Sequence, residues 1–231
     1  MKEIHIKDKL KEIGMPIEDI TLGDFDVIGH YTAYKNRPTN SEMYKKVGCF
    51  FRPNYERGIL IYSLIKKYKL KSYLEVGYGR GYSAMCAAKA FQELGEGEIV
   101  TVDPVISEDE IKRISSIFGR DFINMIRFVH AKSDNYLPAV EQNYDLIYID
   151  GDHTYEGVKY DWEQLKDKYN KFLLFDDYHK TQKQDEIECS KLIDEIEDDS
   201  KELIIMDRRI FLDDRQIPDE EIDYGQVLLT K

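Results

Sequence analysis

Residues 73 to 81 read Tyr73-Leu74-Glu75-Val76-Gly77-Tyr78-Gly79-Arg80-Gly81, an apolar strand pattern that runs straight into an acidic loop with glycine at alternate positions. Such a loop lets the backbone turn sharply and approach a ligand closely, because no Cβ blocks positive φ or contact. Tyr82 to Leu94 continues as a helix pattern crowded with small residues, Ala84, Cys86, Ala87, Ala88 and Ala90. Strand, glycine loop and tightly packed helix in this order form the nucleotide-binding corner of a doubly wound α/β domain. The dinucleotide fingerprint G-x-G-x-x-G is not met, since Tyr82 stands at the place of its third glycine. A second apolar run, Glu98-Ile99-Val100-Thr101-Val102, ends in Asp103, twenty-two residues after Gly81. A carboxylate there can accept hydrogen bonds from both hydroxyls of a ribose.

From Lys71 onward short apolar runs alternate with amphipathic stretches, the pattern of βαβ units and a largely parallel sheet. It predicts seven strands, near residues 71–76, 98–103, 125–130, 145–150, 171–176, 202–206 and 225–230. Between them, Val158, Trp162, Leu165 and Tyr169 form one helical stripe, and Cys189, Leu192, Ile193 and Ile196 another, both read as core contacts. The expected fold is therefore α/β, a Rossmann-like doubly wound, mostly parallel seven-stranded sheet with helices on both faces; an antiparallel last strand is what the family resemblance given below implies.

A chain of 231 residues can bury one large core. Its formal charge of −12, spread along the chain, argues against a nucleic-acid or anionic-membrane surface, which needs a concentrated basic patch. No apolar run reaches the roughly 18 residues of a membrane span, and Met1-Lys2-Glu3-Ile4-His5 has no secretory apolar segment. These features lead to the expectation of a cytoplasmic protein that binds neither nucleic acid nor membrane. The three cysteines, Cys49, Cys86 and Cys189, are far apart and suggest neither a disulfide framework nor a zinc cluster.

Two further strands end in chemistry. Residues 145 to 153 read Asp145-Leu146-Ile147-Tyr148-Ile149-Asp150-Gly151-Asp152-His153, and residues 172 to 179 read Phe172-Leu173-Leu174-Phe175-Asp176-Asp177-Tyr178-His179. Ligands of open α/β sheets sit outside the carboxyl ends of the strands, so both clusters should face the crevice of the glycine loop. Neighbouring strands lie about 5 Å apart, which would crowd Asp150, Asp176 and Asp177. Crowded carboxylates raise one another's pKa unless a cation shares them. Oxygen ligands point to a hard ion, Mg²⁺ first and Ca²⁺ or Mn²⁺ next. Adjacent Asp176 and Asp177 would point to opposite faces inside a strand, so both can be ligands only where the strand has ended.

The glycine loop with Glu75 before it and Asp103 after it resembles the class I S-adenosylmethionine-dependent methyltransferases. That resemblance implies a cofactor site made of Glu75, Gly77, Tyr78, Gly79, Gly81 and Asp103, with Lys132 and Ser133 at the adenine and Asp150 near by. The Ile-Asp-Gly-Asp-His-x-Tyr-Glu-Gly segment and the later Asp-Asp-Tyr resemble the branch of macrocin-type sugar O-methyltransferases, over roughly residues 55 to 180. It implies a divalent metal, Mg²⁺ first, on Asp150, Asp176 and Asp177, and a catalytic base at Asp152 or His153. His153, with an ordinary pKa near 6.5, suits proton abstraction at neutral pH. The chain departs from the branch before the fifth strand, where Tyr169-Asn170-Lys171 replaces a glycine pair. Under this reading residues 55–231 are the methyltransferase domain, and residues 1–54 an extension that caps the active site. The implied activity is metal-assisted O-methylation of a small hydroxylated acceptor such as a sugar. A metal-independent methyltransferase of the same fold and a catalytically silent cofactor-binding module are the alternatives.

Overall fold

The computed structural model describes residues 1–16, 20, 55–79, 81–109, 111, 112, 115, 119–181, 187–206 and 224–231. Tyr31, Tyr34, Tyr44, Cys49, Arg80 and most of the expected cap lie outside the described residues. The described elements are β1 (Lys2–His5), α1 (Ile6–Glu12), α2 (Tyr55–Tyr68), β2 (Ser72–Val76), α3 (Tyr82–Leu94), β3 (Glu98–Val102), α4 (Arg120–Asn124), β4 (Ile126–Val129) and α5 (Ser133–Tyr136). They continue as β5 (Tyr144–Ile149), α6 (Tyr155–Leu165), β6 (Tyr169–His179), α7 (Cys189–Glu195), β7 (Glu202–Ile205) and β8 (Tyr224–Thr230). One sheet takes all the strands in the order β1-β7-β8-β6-β5-β2-β3-β4. Among the described strands only β8 runs against the rest, antiparallel to both β6 and β7.

Alternate residues of the central strands feed two cores. Tyr73, Leu146, Tyr148, Phe172 and Leu174 pack on one face against α2 and α3. Leu74, Val76, Ile147, Ile149, Leu173 and Phe175 pack on the other, with Val158 and Leu165 of α6 and Ile193 of α7. The period of two is what splits the strands between the layers. The small residues of α3 serve close packing as expected, since Ala84, Ala87, Ala88 and Ala90 are all fully buried.

Two details differ from the sequence reading. Among the described residues the sheet has eight strands, because Lys2–His5 adds an edge strand parallel to β7. Four residues with two charges among them carry no strand pattern, so this pairing rests on tertiary contacts. Lys2 and Lys9 both reach Glu202 of β7, at 2.7 and 2.5 Å. Tyr169 does not extend the helical stripe of Val158, Trp162 and Leu165, because α6 ends at Leu165 and Tyr169 opens β6. Cys189, Leu192, Ile193 and Ile196 do share the buried core.

The Lys9 and Glu202 side chains are each only 11 % exposed, and removing one partner of such a pair leaves the other charge poorly solvated. Lys9 keeps Glu12 as a partner at 3.0 Å, so Glu202→Gln should lower the unfolding free energy by about 1–2 kcal/mol, read as a reduced midpoint in urea denaturation at unchanged slope.

Candidate active site

The carboxyl ends of β2, β3 and β5, with the starts of α5 and α6, enclose a cleft of about 760 Å³. Its glycine wall is built by a close backbone approach. Gly77 has φ +94°, and a Cβ placed on it would lie 1.9 Å from the Asp150 carbonyl oxygen. The Gly77 N–H donates to the Val102 carbonyl at 2.9 Å, and the Asp150 N–H donates to Val76 at 2.8 Å, so the loops after β2, β3 and β5 meet.

Asp103 joins two of these loops through its carboxylate. One oxygen accepts from the Gly79 N–H at 3.0 Å and the other from the Val105 N–H at 2.7 Å. A carboxylate has about four acceptor positions, so two backbone donors leave capacity for a ligand's hydroxyls. Gly77, Gly79, Asp103, Lys132, Ser133, Asp150, Asp152 and His153 all line the cleft, and the fold thus gathers most of the residues singled out in the sequence.

Three others stand back from it. Tyr78 is buried, with its ring edge-on to Phe128 at 5.4 Å, and Gly81 caps α3 in the left-handed region. Glu75 is fully buried beneath the loop. It accepts hydrogen bonds from the hydroxyls of Tyr73 at 3.1 Å, Thr101 at 2.8 Å and Ser83. Burial pushes its pKa up to about 7, against the pull of those hydroxyls, and Asp103 adds to the rise.

At the other end of the cleft, Asp150 accepts from the Tyr148 hydroxyl at 3.2 Å. Asp152 accepts the Thr154 N–H at 2.9 Å, and Thr154 in turn caps α6 by accepting from Gly157 at 3.2 Å. His153 is fixed by its carbonyl, which accepts the Glu188 N–H at 2.8 Å. Its Nδ1 lies 2.8 Å from an Asp177 oxygen. That hydrogen bond, with help from the Cys189 thiol, raises the imidazole pKa to about 10.

The adjacent acids of β6 part company. The β6–β8 register shifts between Phe175 and Tyr178, and Asp177 takes φ +52°, rare for a residue with a Cβ. Asp177 thereby reaches His153. Asp176 is 2 % exposed and turns into the sheet, where one oxygen accepts from Tyr224 at 3.0 Å and Gln226 at 3.3 Å. The group able to share an ion is accordingly Asp150, His153 and Asp177, whose ligand atoms lie within 4.8 Å of one another. It differs from the expected trio by His153 in place of Asp176. His179 is buried against the Tyr224 ring at 5.3 Å.

Sequence reasoning did not single out Pro104, Val105, Asp134 or Tyr160, which also line the cleft. Their nearness to Asp103, Ser133 and Asp152 in the chain was the available signal.

Glu75 makes stability depend on pH. In the unfolded chain it ionises above 4.5, whereas in the fold it does so only above about 7. Stability is therefore full below the unfolded pKa and falls as pH rises from 4.5 to about 7, by about 3 kcal/mol in total. Glu75→Gln should remove this decline, so that the variant gains on the native chain between pH 4.5 and 8 in chemical denaturation.

Residues 74–178 match the family described as a methyltransferase domain. No curated protein matches the chain. Among solved structures, the O-methyltransferase TomG from Streptomyces achromogenes, in complex with SAM, is similar at 10 % identity with a TM-score of 0.59, over 99 % of this chain and 100 % of that one. The O-methyltransferase from Bacillus cereus, in complex with SAH, is similar at 13 % identity with a TM-score of 0.55, over 98 % and 97 %. A methyltransferase from Geobacter sulfurreducens is similar at 14 % identity with a TM-score of 0.55, over 88 % and 96 %. At these identities the structures speak for the fold alone. The chain is thus similar to a methyltransferase domain over a stretch that spans the glycine loop, Asp103 and both carboxylate-ended strands.

Proposed function

We propose that this protein transfers the methyl group of S-adenosylmethionine to a hydroxyl oxygen of a small polar acceptor, a sugar or polyol before a catechol-like ring. The observation that carries the reading is the single cleft that has Asp103 and the glycine loop at one end and Asp150, Asp152 and His153 at the other. Asp103 is suited to the ribose hydroxyls, and the Lys132–Ser133 wall to the adenine. The acceptor hydroxyl then lies toward Asp150 and His153.

Two oxygen donors and one imidazole fit a divalent cation. Asp150, Asp177 and His153 would hold it, and when bound it would supply Lewis-acid stabilisation of an alkoxide. Asp177 otherwise keeps the proton on His153 at pH 7, since their pairing favours imidazolium. As a ligand His153 has no lone pair left for a proton, so with a cation bound the base role would pass to Asp152, and His153 could take the proton only where it is not a ligand and the charge of Asp177 is removed. The completeness of the His153–Asp177 pair favours a second reading, methyl transfer without metal, in which the pair only positions substrate.

Calorimetric titration with S-adenosylhomocysteine tests the cofactor site. Asp103→Ala should weaken binding by about tenfold or more, in line with the loss of charge-assisted hydrogen bonds, and no binding to the folded native chain would overturn the reading. With hydroxylated acceptors, loss of turnover on adding EDTA, restored by Mg²⁺ or Mn²⁺, separates the metal-assisted reading from the metal-free one. In the metal-free protein, Asp177→Asn should bring the His153 titration, followed by NMR, down from about 10 toward the ordinary value near 6.5.

A further inference from the structure

Asp161 of α6 is fully buried, and neither of its carboxylate oxygens makes a hydrogen bond among the described residues. It lies directly behind the cleft floor, since a Cβ on Gly151 would be 3.3 Å from its Oδ2. Its titratable neighbours are Asp152 and Asp134, both acidic, and burial lifts its pKa to about 6. The Ser133 hydroxyl stands beside it, short of a hydrogen bond in this geometry but near enough to pull that pKa down.

A carboxylate without a partner in the interior is destabilising, by the full desolvation of the group. Asp161 is also misplaced by pattern, because it stands three residues after Val158 and four before Leu165, on the apolar stripe of α6. Packing alone would favour an apolar residue there. The neighbouring Tyr160 points to another use, for its hydroxyl reaches the Asp134 carbonyl at 3.4 Å. Two consecutive residues of α6 thus face two consecutive residues at the start of α5, and Ser133, Asp134 and Tyr160 all line the cleft.

We infer that Asp161 is a positioning residue for cofactor binding: it takes the Ser133 hydroxyl when the adenine of S-adenosylmethionine lies against the Lys132–Ser133 wall, and with Tyr160 it holds that wall in place. The inference rests on the placement of the adenine given above. Asp161 does not touch the ligand, since its oxygens are sealed from solvent. It acts through Ser133, and the free protein carries its unsatisfied charge until the ligand orders the wall.

The test uses the full chain, with thermal unfolding in the absence of ligand and calorimetric titration with S-adenosylhomocysteine. Asp161→Asn should unfold at the same temperature as the native chain or higher at pH 8, yet bind about tenfold more weakly. Ser133→Ala should lose about as much affinity, and the double variant no more than either, the signature of one coupled contact. Ser133→Ala reads the wall from its other side should Asp161→Asn fold poorly, a failure that would itself count against the inference. Native affinity in Asp161→Asn, or losses that simply add in the double variant, would overturn it while leaving the cofactor site intact. Absence of binding by the native chain would overturn both.

Discussion

Between Gly77 and the carbonyl of Asp150 there is no room for a methyl group, and the shape of the cleft follows from that contact. The paired strands β2 and β5 hold their loops this close through the Asp150 N–H on Val76, in register with Val76 opposite Ile149. A larger residue at position 77 would part the two strand ends. With glycine there, the loop after β2 and the Asp150–His153 segment become facing walls, so a ligand on one is within reach of groups on the other. Asp103 completes the arrangement by drawing Gly79 and Val105 onto a single carboxylate.

The cleft is lined by Asp103, Asp134, Asp150, Asp152 and Glu156, against Lys132 and His153. This excess of negative charge suits a sulfonium cofactor, which carries its positive charge on the atom next to the transferred methyl. The fold treats its carboxylates in distinct ways. Asp103 accepts backbone donors, while Glu75 lies in the interior, where its charge is disfavoured. Asp176 belongs to a buried polar relay in which Gln226 donates both to it and to the Tyr148 hydroxyl, and Tyr148 donates to Asp150. The Asp150 end of the cleft is thus braced from β8 through the buried side chains of Gln226, Asp176 and Tyr148.

Much of this was legible in the chain. The glycine loop, Asp103 and the strand ending at Asp150 could be placed because strand periodicity and the geometry of open sheets decide which ends face the ligand. The division of labour between Asp176 and Asp177 could not, because it depends on a register shift against β8 and on Tyr224 and Gln226, some fifty residues away in sequence. The strand at Lys2–His5 was hidden for a similar reason, being held by Lys9 and Glu202 rather than by its own pattern. Asp161 did leave a trace, a charge on an apolar helical stripe, but helical spacing alone marks the stripe as core and passes over the exception.

The position of β8 has a consequence for how the sheet is assembled. It is the last strand in chain order, yet it lies between β6 and β7, inside the sheet rather than at its rim. The pair β1 and β7 touches the other six strands' ladder only through it. The two-strand piece β1–β7 therefore joins the sheet only through residues 224–230, so its pairing waits on the last described strand. Closure over such sequence separation is slow and leaves strand edges open meanwhile. Until β8 is in place the edges of β6 and β7 that it covers are unpaired, the kind of surface with which another extended chain can pair.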